Sequence, residues 1–96
     1  ELRDKAIKED PESKEVLDLC RALIKRESWS KISKILKDIK EDAESVRYAV
    51  LGYSRSCLLG KGDKNAALII ERFQDNFYDS KDAALALACY EVIVGD

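Results

Sequence analysis

The chain has 96 residues, with 17 basic and 19 acidic side chains, and it contains no histidine. This length is enough for one small domain. The formal charge of −2 gives the chain as a whole no attraction to a polyanion. Because histidine is the commonest general base near neutral pH, its absence excludes Ser-His-Asp and Cys-His catalytic sites. No other set of residues indicates an enzyme.

The first twelve residues differ in composition from the rest of the chain. Residues 1–12 are highly charged and lack the apolar centre of a signal peptide. We interpret them as a linker or flexible lead-in to a domain formed by 13–96. Since the chain begins at Glu1 and not at methionine, we expect a fragment of a longer protein.

The sequence also bears on membrane contact. The longest apolar run extends from Ala83 to Val94 and contains Glu91. This run is shorter than the roughly 20 residues of a membrane-spanning helix. We therefore expect a cytoplasmic protein without membrane contact.

Helical spacing of apolar residues begins after the lead-in. Ser13 is suited to cap a first helix that extends to about Glu27. Ser28 begins a second helix with a narrow apolar face, which ends near Lys40.

The third and fourth helices follow an acidic pair, Glu41-Asp42, which places negative charge at a helix start. The third helix is predicted from Val46 to Leu59. Gly52 lies inside it and costs about 1 kcal/mol relative to alanine, so we expect a close crossing by another helix to compensate. The turn 60–63 ends this helix, and its aspartate caps the fourth.

The last helix is predicted from Ala83 to Val94, with Asp79-Ser80 as its cap. It is apolar nearly all round and must therefore be covered on several sides. Either it is the central helix of the bundle, or one face meets another protein. Because no alternating strand pattern competes, the elements predict an all-α fold, a compact bundle of about five helices.

The sequence indicates no cofactor, metal ion or small-molecule ligand. Cys20, Cys57 and Cys89 are widely spaced at apolar helical positions, a pattern typical of reduced core cysteines. A zinc site would need further ligands, and there is no histidine to supply them. The glycine-rich turn 60–63 lacks the GxxxxGK spacing and the preceding strand of a phosphate loop.

Segment 21–40 is basic, with seven basic residues and two acidic ones. Such a segment can follow a phosphate backbone, and Lys31, Lys34 and Lys37 are the candidates for a weak DNA contact. The other interpretation is that these lysines only solvate a helix face. The spacing assigns Trp29 to the apolar face, so no base-stacking platform is expected.

Four tyrosines lie beside the apolar stripes of the predicted helices. Tyrosine is enriched at protein interfaces, but it is equally common at the edge of a core. Both interpretations therefore stay open for Tyr48, Tyr53, Tyr78 and Tyr90.

Part of the chain resembles a tetratricopeptide repeat. Leu51-Gly52-Tyr53, the turn 60–63 and Ala66-Ala67 are similar to that family's Leu-Gly…Tyr helix, Gly-Asp turn and Ala-led helix. The similarity covers 46–73, and the first two helices do not repeat it. It implies a stand-alone adapter that binds a protein partner in a groove between the third and fifth helices.

A longer resemblance covers 13–94. A leucine-rich first helix is followed by a Lys-Arg-Glu-Ser-Trp step, a second helix beginning Trp-Ser-Lys-Ile, a long third helix and two apolar closing helices. The closing part consists of 67–73, 77–80 and 83–89. This order is similar to the C-terminal collar domain of clamp-loader small subunits, the replication factor C and phage types of the AAA+ ATPase class.

The collar resemblance implies a non-catalytic oligomerisation domain that joins subunits into a ring for sliding-clamp loading in DNA replication. The ATPase motifs would lie upstream, and the third and fifth helices would contact other clamp-loader subunits. An apolar patch on the order of a few hundred Å² gives only weak association, so the isolated domain is expected to be monomeric or weakly dimeric. The candidate interface residues are Tyr53, Leu58, Phe77, Tyr78, Leu85 and Tyr90.

Overall fold

The computed structural model describes residues 13–75 and 81–94. In these two ranges the chain forms an all-α bundle without strands, which confirms the predicted fold class. The predicted lead-in 1–12 and the Asp79-Ser80 cap lie outside the described residues. The helices are α1 Lys14–Lys25, α2 Trp29–Asp38, α3 Ala43–Lys61, α4 Lys64–Arg72 and α5 Asp82–Ile93.

Four of these helices begin at a side chain that caps them. Ser13, Ser28 and Asp63 each accept a hydrogen bond from a backbone N–H two or three residues later. α3 begins earlier than predicted because Asp42 caps it and accepts the backbone N–H of Ser45 at 2.7 Å. This bond, with a second one from the Ser45 hydroxyl, holds the pKa of Asp42 below its ordinary value.

The core lies where α1 and α5 meet the other helices, since each of these two contacts all four others. α2 contributes only Ile32 to the fully buried set, as its narrow apolar face predicts. Every helix contributes apolar residues to this core. Its largest fully buried side chains are Phe73, Leu19, Leu23, Ile32, Ile69, Val16, Val46, Val50 and Val92.

A buried arginine of α3 forms hydrogen bonds with the end of α4. Arg47 is 7% exposed, and its Nη1 donates to the carbonyl oxygens of Phe73 and Gln74 at 2.8 and 3.0 Å. Its Nε and Nη2 both lie 2.9 Å from a Glu44 carboxylate oxygen. Phe73 is the C-cap of α4 and Gln74 follows it, so Arg47 caps α4 from a neighbouring helix.

Two further helix ends receive side chains that are distant in sequence. The Asn65 amide of α4 donates to the Ile24 carbonyl near the end of α1 at 2.8 Å. Arg26, which follows α1 in the left-handed conformation (φ +53°), donates to the Ile93 carbonyl at the end of α5 at 3.0 Å. Contacts of this kind join the helix ends as well as the helix faces.

The prediction of a close helix crossing at Gly52 is wrong. Within the described residues, no heavy atom from another part of the fold lies within 4 Å of a Cβ built on Gly52. The glycine is exposed to solvent. Gly62 differs, because it ends α3 in the left-handed conformation with φ +64°.

Alanine substitutions at these two glycines are expected to change the free energy of unfolding in opposite directions. Gly52→Ala should raise the free energy of unfolding by about 0.5–1 kcal/mol, because alanine reduces the freedom of the unfolded chain and fits the helix. Gly62→Ala should lower it by about 1 kcal/mol, since alanine is strained at positive φ. Urea denaturation followed by circular dichroism measures both. Destabilisation by Gly52→Ala would show that a segment packs over this position.

Candidate protein-interaction surface

The two sides of α5 have different environments. Leu85, Ala88, Cys89 and Val92 are buried against the other helices. On the opposite side Leu87, Tyr90 and Val94 are 57%, 43% and 50% exposed, and Ala83 is exposed as well. We call Ala83, Leu87, Tyr90 and Val94 the outer α5 stripe. Large apolar residues that stay exposed along one helix face are typical of an interaction surface.

An aromatic contact lies at the centre of the outer α5 stripe. The rings of Trp29 and Tyr90 meet edge to face, with centroids 5.2 Å apart and planes at 89°. Trp29 is half-buried at the start of α2, on the apolar face that its spacing predicted. Because edge-to-face pairs are favourable, the contact restricts the Tyr90 ring while leaving part of it exposed.

The structure separates the predicted interface residues. Tyr90 belongs to the outer α5 stripe, while Tyr53 and Leu58 are half-buried on α3. Leu85 is 5% exposed and belongs to the core, because the side of α5 that carries it faces inward. Phe77 and Tyr78 lie outside the described residues.

Leu87 and Val94 were missed as interface candidates. Their spacing from Ala83 and Tyr90, alternating four and three residues, is visible in the sequence. The sequence does not reveal which side of a helix so evenly apolar faces outward.

Two grooves lie away from this stripe. One, of about 330 Å³, lies between α1 and α3 and is lined by Leu17, Tyr48 and Gly52 among others. The other, of about 730 Å³, lies where the end of α2 meets the starts of α3 and α5, with Leu36 and Ile39 in its lining. The groove that the tetratricopeptide resemblance implies between α3 and α5 corresponds only in part to the second, which is also bounded by α2.

The candidate DNA-contacting lysines lie on the outer side of α2. Lys31, Lys34 and Lys37 are all exposed. The Lys31 ammonium lies 3.8 Å from the Glu27 carboxylate, which offsets its charge in part. The three side chains therefore form a solvated basic face in which Lys34 and Lys37 carry most of the net charge.

No disulfide joins Cys20, Cys57 and Cys89, all of which lie within the described residues. Cys20 and Cys89 are buried and Cys57 is half-buried, which agrees with the predicted core positions for the first two. Burial, with a smaller contribution from nearby Cys20, raises the pKa of Cys89 to about 12. Within 13–75 and 81–94, no three His, Cys, Asp or Glu residues are placed to hold a metal ion.

The buried thiol predicts a stability that falls in alkaline solution. Its pKa is higher in the folded state than the ordinary value of 9.0, so above about pH 9 the unfolded chain releases a proton that the folded chain retains. The Cys89 contribution to the free energy of unfolding should therefore fall by about 1.4 kcal/mol per pH unit from pH 9 towards pH 12. Urea titrations at several pH values should show a shallower decline for Cys89→Ala than for Cys57→Ala. Equal slopes would contradict the prediction.

Comparison with known proteins adds no relative. No family model, curated protein sequence or solved structure matches this chain. In the part of the chain that the structure describes, no helix is both long enough and apolar enough to cross a bilayer.

Proposed function

We propose that this chain is a non-catalytic helical domain that packs against protein subunits through the outer α5 stripe, as the collar of a clamp loader in DNA replication. The observation that carries the packing role is the exposure of Leu87, Tyr90 and Val94 on one helix face. Burying such a face against another protein removes apolar surface from water, at about 25 cal/mol per Å².

Among the described residues, the titratable groups with displaced pKa values support a structural role over catalysis. Asp42 is engaged as the cap of α3. Cys89 is fully buried, and its raised pKa keeps it protonated near neutral pH. Catalytic groups need access to substrate and a pKa suited to the reaction, and neither residue meets both conditions.

Leu87→Asp in the full-length parent protein tests the packing role. We expect this change to dissociate the parent assembly, because it places a charge in the centre of a buried apolar face. Leu59→Asp is the matched control, since Leu59 is 69% exposed on α3. Size-exclusion chromatography with light scattering measures the assembly. If only Leu59→Asp dissociates it, the packing surface lies on α3 and the proposal is wrong.

The collar assignment is supported by the order and lengths of the elements. A 19-residue α3 lies between pairs of shorter helices, and the apolar α5 comes last, as the collar resemblance implies. The coding sequence upstream of Glu1 tests this assignment. We expect GxxxxGK followed by Ser or Thr after an apolar strand. A reading frame that opens immediately before Glu1 would overturn the collar role and leave the packing role to be judged by Leu87→Asp.

Exposure of the three α2 lysines favours DNA contact as a second candidate function. If Lys31, Lys34 and Lys37 bind the phosphate backbone, affinity for duplex DNA should fall steeply with salt. Replacing all three by glutamate should then abolish binding, as measured by fluorescence anisotropy. Affinity that does not change after this replacement would show that the basic face only solvates α2.

A further inference from the structure

The outer α5 stripe has the spacing of a coiled-coil seam. Its residues follow one another at intervals of four, three and four, which is the alternation of core positions in a heptad. At a rise of about 1.5 Å per residue the stripe is about 16 Å long. A straight seam of this kind fits a second helix that lies nearly along it.

The side-chain sizes in the stripe are complementary when the second helix runs in the opposite direction. A two-fold axis between Leu87 and Tyr90 would set Leu87 against Tyr90 of a second copy, and Ala83 against its Val94. Each layer would then combine a smaller side chain with a larger one. A parallel arrangement would set Tyr90 against Tyr90 and Ala83 against Ala83, giving one overfilled layer and one underfilled layer.

The charges at the ends of the stripe favour the same arrangement. Asp82 is exposed in the first turn of α5. Arg26 lies at the other end, where it donates to the Ile93 carbonyl. An antiparallel pair would bring Asp82 of each copy to the level of Arg26 of the other, and it would also oppose the two helix dipoles favourably.

The exposed apolar area of the stripe limits the affinity between two copies. The exposed fractions of Leu87, Tyr90 and Val94 correspond to roughly 300 Å² per copy, or about 600 Å² in a pair. Stable specific interfaces bury about 1,200 Å² or more. The stripe alone therefore supports weak, reversible association.

We propose that the outer α5 stripe binds a second copy of this chain, antiparallel across a two-fold axis, as a weak dimer. The inference rests on the proposed packing role: in the isolated chain, a second copy occupies the stripe that another subunit covers in the parent assembly. A self-complementary seam closes after two copies, so no larger assembly follows from the stripe alone.

Sedimentation equilibrium of the chain from about 10 µM to about 1 mM tests the dimer. The expected result is a monomer–dimer equilibrium with a dissociation constant of roughly 0.1–1 mM. Leu87→Asp should raise this constant at least about tenfold, and Leu59→Asp should leave it unchanged. A monomer at every concentration, or equal effects of the two variants, would overturn the dimer. The assembly test with the full-length parent would still decide the packing role separately.

Cross-linking tests the direction of the helices. In a Cys57→Ser background the two remaining cysteines are buried. Chains with Ala83→Cys and chains with Val94→Cys should form a disulfide when mixed and oxidised, and neither should do so efficiently alone. Efficient cross-linking of the Ala83→Cys chain to itself would show parallel helices and overturn the proposed arrangement.

Discussion

Replacement of Arg47 by methionine is expected to lower the free energy of unfolding by about 3 kcal/mol. The guanidinium is buried and joins Glu44 on its own helix to the carbonyls of Phe73 and Gln74. Its carbon atom also lies 4.9 Å from the centroid of the Tyr48 ring. Methionine fills a similar space but provides no donor, so the hydrogen bonds from Arg47 to the Phe73 and Gln74 carbonyls are lost.

Arg55→Met is the matched control, because Arg55 is exposed on the same helix. This change should alter stability by no more than about 0.5 kcal/mol. Arg47→Lys should recover part of the loss, since an ammonium cannot reproduce the forked geometry of a guanidinium. Urea denaturation measures all three variants. Equal effects of Arg47→Met and Arg55→Met would show that the cap on α4 contributes nothing to stability.

Truncation of Ile32 to alanine should cost a similar amount, about 3 kcal/mol. Ile32 is the only α2 residue in the fully buried set. Its removal would leave a cavity beneath α2, where the helix packs on α1 and α5. The remaining contacts of α2 are made by half-buried residues, which compensate poorly for a lost central side chain.

Ile35→Ala removes the same atoms from the same helix and serves as the control. Ile35 is only half-buried, so we expect a loss of about 1 kcal/mol. The two changes should shift the urea midpoint in proportion to these values without altering the slope. If Ile35→Ala lowered the free energy of unfolding as much as Ile32→Ala, α2 would have to be rotated about its axis so that Ile35 is buried as deeply as Ile32.

The sequence predicted the features that depend on neighbouring residues. Ser13, Ser28 and Asp63 begin helices where expected, because a cap bonds to backbone only two or three residues away. The apolar faces of α1 and α4 were also predictable, since their polar and apolar residues alternate with helical period. The residues that determine these features lie within a few positions of one another in the sequence.

The features that were not predicted depend on distant parts of the chain. Arg47 and Asn65 look like ordinary charged or polar helix residues until the carbonyls of other helices are placed beside them. The orientation of α5 was also open, because an almost uniformly apolar helix carries no periodic signal. Gly52 was assigned a packing role from its cost alone, but the fold leaves it exposed.

The central position of α1 has a consequence for synthesis of the protein on the ribosome. Of the five described helices α1 is made first, yet its apolar residues are covered by the four later ones, and Asn65 of α4 caps its end. At about 5–20 residues per second, residues 26–93 require about 3–14 s. Until α5 has been added, Leu19 and Leu23, which are fully buried in the fold, lack part of their covering, and incompletely covered apolar surface favours aggregation.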